Sequence, residues 1–133
     1  MIPRPAPTSP DDERFWRALL EGELRIQRCA ACQTYRHPPA PVCARCGAAE
    51  SEWERASGRG EVWSFTIIHP PTLAAFAERV PYGAVVVRLD EGVFLDSNVV
   101  DCPNDALAVG MLVELTITVV DDDLTLPLFR RAD

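Results

Sequence analysis

The sequence predicts a mostly-β chain in which one N-terminal helix precedes a small metal-binding ribbon and a five-stranded barrel. Three observations lead there. Four of the five cysteines fall in two C-x-x-C pairs, Cys29/Cys32 and Cys43/Cys46. An apolar stripe at helical spacing, Phe15, Trp16, Leu19 and Leu20, precedes them. From Gly58 onward, five short apolar or alternating runs are separated by Pro, Gly and Asp clusters. The 133 residues and 47% apolar composition suit one domain with a packed core. The expected division is an arm and helix over 1–22, a ribbon over 23–57 and a barrel over 58–133.

Pro3, Pro5, Pro7 and Pro10 make the start an extended arm, expected to be disordered or to lie on a partner. Residues 11–21 then read as a helix, with Asp11 or Asp12 as its cap and Gly22 just past its end. Phe15 and Leu19 lie one turn apart, as do Trp16 and Leu20. So short a helix is marginal alone, and its apolar face needs its own domain or another chain to cover it. All four residues are candidate partner contacts.

Leu24 to Arg28 alternates like a strand, and so does Glu50 to Ser57 around Trp53. Two short strands flanking two cysteine knuckles is the layout of a zinc ribbon of the rubredoxin type. Each knuckle supplies two thiolates, and the ten-residue gap lets the knuckles face each other across one tetrahedral ion. Such a site has no open position for water, so its role is structural. Zinc is the expected ion. Iron in a rubredoxin-like site is the main alternative, and a disulfide pair is a minor one. His37, between the pairs, is expected at the surface or behind the ligands rather than on the metal.

In the barrel half, 61–69 reads as a strand with Trp63, Phe65 and Ile67 on one face, stopped by Pro70-Pro71. Residues 72–80 read as a short helix or ordered loop. Residues 83–90 and 93–100 form two strands joined by a turn at Asp90-Glu91-Gly92. A turn over 102–110 leads to a strand over 111–120. After Asp121 to Asp123, residues 124–130 close the chain as an edge strand, because Pro127 has no N–H to donate. A small barrel of the OB type fits this spacing, and an open sandwich is the runner-up.

The formal charge is −7, and all thirteen cations are arginine, a mark of a GC-rich bacterial genome. A nucleic-acid module would show a basic footprint, which the chain as a whole lacks. That reading survives only as an alternative for a single strand stacked on Trp63 and Phe65. Leu24 to Ala49 holds no acidic residue but holds Arg25, Arg28, Arg36 and Arg45. These arginines either stabilise the thiolate cluster or present a surface for phosphate or an acidic partner. Arg36, Arg45 and His69, at a strand exit, are the candidate ligand contacts, although His69 reads more readily as a residue that merely caps the strand. Cys102 reads as a small buried apolar residue. There is no nucleophile motif, phosphate loop or dinucleotide fingerprint, and no catalytic constellation. No apolar run is long enough to span a membrane, and no charged start precedes an apolar segment, so the expected compartment is the cytoplasm. There, paired C-x-x-C means metal before disulfide.

The order of the pieces is specific. "FWRALLEGELRIQRC", "CAAC…HPP…CARCG", "SGRGEVWSFTIIH", "VPYGAVVVRLDEGVFLDSNVVDC", "VGMLVEL" and "LPLFR" together resemble the acyl-CoA-associated family of zinc-ribbon plus OB-fold proteins, long classed as a domain of unknown function. The resemblance runs from about Asp11 to Arg130. It implies that Cys29, Cys32, Cys43 and Cys46 are the metal ligands; Ala44 stands where the family often has proline. It also implies a non-catalytic subunit in a hetero-oligomer with a thiolase-fold or lipid-transfer-type enzyme, with the CoA thioester bound mainly by that partner. One group of the family supports acetoacetyl-CoA thiolase and hydroxymethylglutaryl-CoA synthase in archaea. Another, in actinobacteria, supports aldolases that cleave a steroid side chain from its CoA thioester, and there the domain can be the tail of a longer hydratase subunit. The lysine-free composition favours the second group.

Overall fold

The structure is a computed structural model and describes residues 4–70 and 73–132. Pro3, Pro71 and Thr72, which figure in the expected arm, strand stop and helix, lie outside those residues. The elements are α1 (Pro10–Leu20), β1 (Arg25–Cys29), β2 (Tyr35–Arg36), β3 (Ser51–Arg55), β4 (Arg59–Ile68), β5 (Tyr82–Leu89), β6 (Phe94–Ser97), β7 (Leu112–Asp121) and β8 (Leu124–Arg131). Single 3₁₀ turns stand at Ala74–Phe76 and Asn104–Ala106, where a short helix and a turn were expected.

The helix is capped two to three residues earlier than the acidic residues suggest. Ser9, in extended backbone, is the cap, and its Oγ accepts the Asp12 N–H at 3.1 Å. Pro10 occupies the first turn, where its missing N–H costs nothing. Asp12 acts instead as an acceptor for the Thr8 N–H and hydroxyl at 3.1 and 2.8 Å. Beyond Leu20 the chain turns through Gly22 at φ 87°, and Glu23 N–H donates to the Ala18 carbonyl.

Strands β1, β2 and β3 form one antiparallel sheet in the order β2-β1-β3. The other five form an antiparallel sheet in the order β6-β5-β4-β7-β8. Its two edges approach each other just past β6, where Val99 forms a parallel bridge with Phe129 of β8 and the Val100 N–H donates to the Phe129 carbonyl at 2.7 Å. The sheet is thereby a nearly closed five-stranded barrel, and the fold is mostly β as expected. Pro127 lies on the edge strand β8, in register with Ile117.

The core is continuous. Phe15 and Leu19 from α1, Leu24 and Ile26 from the ribbon side, and Val62, Val85, Val87, Leu89, Leu95, Val113 and Phe129 from the barrel form one buried cluster. Residues 4–8 do not project away, as an arm destined for a partner would. Arg4 pairs with Asp121, and Pro5 to Pro7 line a groove against the barrel. Among the described residues no helix is long and apolar enough to cross a membrane.

Candidate metal centre and its surroundings

The two knuckles are built alike. In the first, the Cys29 N–H donates to the Thr34 carbonyl and the Gln33 N–H to the Cys29 carbonyl, at 2.9 and 3.0 Å. In the second, the Cys43 N–H donates to the Ala48 carbonyl and the Gly47 N–H to the Cys43 carbonyl, at 2.9 and 2.8 Å. Both turns need a left-handed residue at the same place, filled by Gln33 (φ 67°) and Gly47 (φ 79°).

The four sulfurs lie within 4.8 Å of one another, with Cys29–Cys46 at 3.5 Å and Cys32–Cys43 at 3.6 Å. Four thiolates about 2.3 Å from a central zinc would stand roughly 3.8 Å apart, so the donor set fits a tetrahedral ion. The thiols also show why a cation is needed. The Thr34 hydroxyl and amide hold Cys32 down at about 6. At Cys46 the Ala48 amide favours the thiolate, but the sulfurs of Cys29, Cys32 and Cys43 outweigh it and push the thiol up to about 11. Four thiolates this close repel one another unless a divalent ion neutralises them. All four positions of a tetrahedron are taken by sulfur, so the ion's role there is structural.

Around the centre, most of the basic segment is tied down. Arg28 pairs with Glu54 at 3.2 Å, donates to the Gln33 carbonyl at 2.8 Å and lies 4.6 Å over the Tyr35 ring. The Tyr35 hydroxyl donates to Glu54 at 2.7 Å; this bond, with Arg28, holds the Glu54 carboxyl below its usual range. Arg25 pairs with Glu23 at 2.6 Å and donates to the Trp53 carbonyl. Arg36 donates to Gln27 and to the Ala40 carbonyl, so it braces the loop between the knuckles. Arg45 is exposed on the second knuckle and has no hydrogen-bond or ion-pair partner among the described residues.

Sequence reasoning missed Gln27. It is 2% exposed in the middle of β1, although the alternation of Leu24 and Ile26 assigns its face to solvent. Its Nε2 donates to the Ala40 carbonyl and to Ser51 Oγ, both at 3.1 Å. Its Oε1 accepts from the Ala40 N–H at 2.9 Å and from Arg36 Nε at 3.2 Å. One side chain thus stitches β1, β3 and the inter-knuckle loop together.

The other candidates disperse. Phe15 and Leu19, at 5% and 0% exposure, belong to the chain's own core rather than to a free surface. Leu20 is 48% exposed, and Trp16 is half-buried, edge-on to Phe15 at 5.3 Å. Trp16, His37, Phe94, Asp96 and Leu126 line a groove of about 630 Å³ between helix, ribbon and barrel. His37 stacks at 5.0 Å on Phe15; burial holds it below its usual range, against the pull of Asp96 and Asp12. His69 is exposed beyond the end of β4. It lies apart from the cysteine cluster, which holds no histidine. Cys102 is half-buried rather than buried, and its thiol faces the Pro103 carbonyl at 3.5 Å. The expected Trp63/Phe65/Ile67 face is broken by a bulge between Val62 and Ser64. Val62 is buried, and Trp63 turns outward against Phe94 at 5.5 Å and under Arg88.

Comparison with known proteins matches this architecture piece by piece. Residues 16–52 match the ChsH2 rubredoxin-like zinc ribbon domain and residues 53–118 the ChsH2 C-terminal OB-fold domain. The chain is 42% identical over 130 residues to a "Probable enoyl-CoA hydratase alpha subunit" of Thermomonospora curvata, covering 97% of this chain and 40% of that one. It is 34% identical to the "3-oxo-4,17-pregnadiene-20-carboxyl-CoA hydratase alpha subunit" of Mycobacterium tuberculosis, covering 82% of this chain and 34% of that one. The chain therefore spans well under half of these two relatives. A "DUF35 domain-containing scaffold protein" of Methanocaldococcus jannaschii is 30% identical, covering 83% of this chain and 79% of that one. Among solved structures, a chain of the "Ltp2-ChsH2(DUF35) aldolase" superposes with a TM-score of 0.89 at 41% identity, covering 98% of this chain and all of that one. The chain belongs to the DUF35 family, in its ChsH2-type form of zinc ribbon followed by OB fold.

Proposed function

We propose that this chain is the accessory subunit of an acyl-CoA aldolase, bound to a thiolase-fold enzyme of the lipid-transfer type and acting on a steroid side-chain CoA thioester. The observation that carries this reading is the match along the full length of the ChsH2(DUF35) chain of an aldolase. The steroid assignment draws on the pregnadiene-carboxyl-CoA hydratase subunit among its relatives. In a retro-aldol cleavage a base removes the hydroxyl proton and that carbon becomes a carbonyl. The carbon–carbon bond breaks, its electron pair passes to the thioester-stabilised carbon, and a proton is returned there. This chain holds no cluster suited to those proton transfers among its described residues. His69 and Arg45 are exposed singly, and Arg36 is committed to the ribbon. The partner therefore supplies the catalytic groups and most of the CoA contacts. This chain supplies a rigid docking body, with zinc on Cys29, Cys32, Cys43 and Cys46 fixing the ribbon, and with Leu20 and the accessible part of Trp16 available on the helix.

The test is a side-chain cleavage assay on a steroid β-hydroxyacyl-CoA, with each protein alone and with both. Activity is expected from the pair and none from this chain alone, with His69→Ala leaving most of the pair's activity. Turnover by this chain alone, or full turnover by the partner alone, would refute the reading. Identity to an archaeal scaffold protein supports a second arrangement, in which the chain bridges acetoacetyl-CoA thiolase and hydroxymethylglutaryl-CoA synthase. Binding to that pair, and not to an aldolase partner, would favour it.

A further inference from the structure

The pairing of β4 is lopsided. On one side it is matched to β5 from Gly60 to Ile68. On the other it meets β7 only over Arg59–Glu61, and the last contacts are Val62 N–H to the Met111 carbonyl and Gly110 N–H to the Val62 carbonyl. From Ser64 to Ile68, among the described residues, no backbone or side-chain group pairs with β4 on the side away from β5. In an extended strand, alternate N–H and C=O groups point to that side, so this stretch offers a short row of free donors and acceptors.

Proteins usually protect such an edge with charge, proline or a covering segment. Residues 62–77 contain no Asp, Glu, Lys or Arg, and the prolines come after the strand has ended. The exposed side chains of the strand and of the loop after it are large and apolar: Phe65 is 37% exposed, Leu73 50%, and Trp63, which leans toward β5 and β6, 52%. Val119 and Val120 are also exposed, at the end of β7, but Asp121 to Asp123 follow at once and put charge beside them. Here apolar side chains and unpaired backbone coincide.

We infer that the β4–β5 arm is the main surface through which this chain holds its enzyme partner, by accepting a strand of that partner onto the free edge of β4. This rests on the reading that a thiolase-fold partner exists. Strand addition would satisfy the free backbone groups while Phe65 and Leu73 pack on apolar partner side chains. A second copy of this chain is the poorer occupant. Each copy carries a formal charge of −7, so two copies as whole bodies repel each other.

The test uses the full chain and the Ltp2 component of the aldolase named above, or this chain's cognate homologue of it. Gel filtration of the wild-type mixture comes first; absence of any complex would count against the aldolase reading itself. Given a complex, hydrogen exchange is compared between free and bound chain. Alternate amides within Ser64 to Ile68 should slow at least about tenfold, as new backbone hydrogen bonds require. Phe65→Glu and Leu73→Glu should each weaken binding about thirtyfold, the scale of an interface hot spot. Leu73 lies outside the strands, so its variant keeps the test independent of barrel folding. A complex that forms with these amides unchanged and both variants binding normally would overturn the inference. So would protection of the same amides in the chain alone, rising with its concentration.

Discussion

Leu19 and Leu20 are neighbours in sequence with opposite surroundings, and replacing each by alanine separates them. Leu19 is fully buried where α1 meets the ribbon and the barrel. Truncation to alanine removes three carbons, worth about 2.4 kcal/mol in transfer free energy alone. The residual cavity adds to this, giving a total of about 3–5 kcal/mol because three elements converge there and none can collapse freely. Against a total stability of about 5–15 kcal/mol, that is a large fraction. Leu20 is 48% exposed, and its truncation should stay within about 0.5 kcal/mol. The assay is urea unfolding of zinc-loaded protein followed by tryptophan fluorescence, reported by Trp16, Trp53 and Trp63. With a slope of about 1–3 kcal/mol/M, Leu19→Ala should lower the midpoint by roughly 1–5 M and Leu20→Ala should leave it in place. A loss below about 1 kcal/mol for Leu19→Ala would show that the helix is not docked as described.

Purified protein should hold about one zinc per chain, and Cys43→Ser should abolish tight retention and melt the ribbon, because metal binding is coupled to folding; metal analysis and circular dichroism check both, and wild-type protein without metal would refute the assignment. Gln27→Leu should cost about 1–3 kcal/mol by leaving the Ala40 N–H without its acceptor, despite the gain in apolarity, and a neutral result in urea unfolding would show the loop re-pairing elsewhere. His37 has a folded-state pKa held below its ordinary 6.5 by burial, so the unfolded chain takes up its proton first as pH falls. Its stabilising contribution is therefore complete above about pH 6.5 and is lost as pH falls toward the lower folded value; the stability difference between wild type and His37→Phe should shrink or reverse across that window, and a constant difference would count against it.

The metal centre was legible because tetrahedral thiolate chemistry constrains spacing in the sequence itself. Cys29, Cys32, Cys43 and Cys46 carry it within eighteen residues, and most strands announced themselves by period and punctuation. What stayed hidden depends on tertiary neighbours. A polar side chain in β1 looks like a surface residue until Ala40 and Ser51 close around it. The bulge after Val62 shifts the alternation by one residue, and nothing in "EVWSFTII" marks where. Ser9 outcompetes Asp12 as the cap because Pro10 fixes the first turn behind it, a choice settled by backbone geometry rather than by residue type. The two-residue strand β2 exists only because the first knuckle folds Tyr35 and Arg36 back onto β1. The apolar helix face read as one surface, but its halves diverge because only Phe15 and Leu19 point into the shared core.

The seam between β6 and β8 and the open stretch of β4 are treated very differently by this chain. At the seam, Val99 and Phe129 bridge the strands, and Pro127 lies in β8 itself. Along β4 from Ser64 to Ile68, nothing comparable stands guard among the described residues. If a partner docks there as proposed, a copy of this chain without it presents a sticky, uncharged border, the kind that recruits chaperones and proteases or seeds precipitates. Quality control would then read that border as a tally of unassembled subunits. The amount of this protein in a cell would follow the supply of its partner rather than its own rate of synthesis.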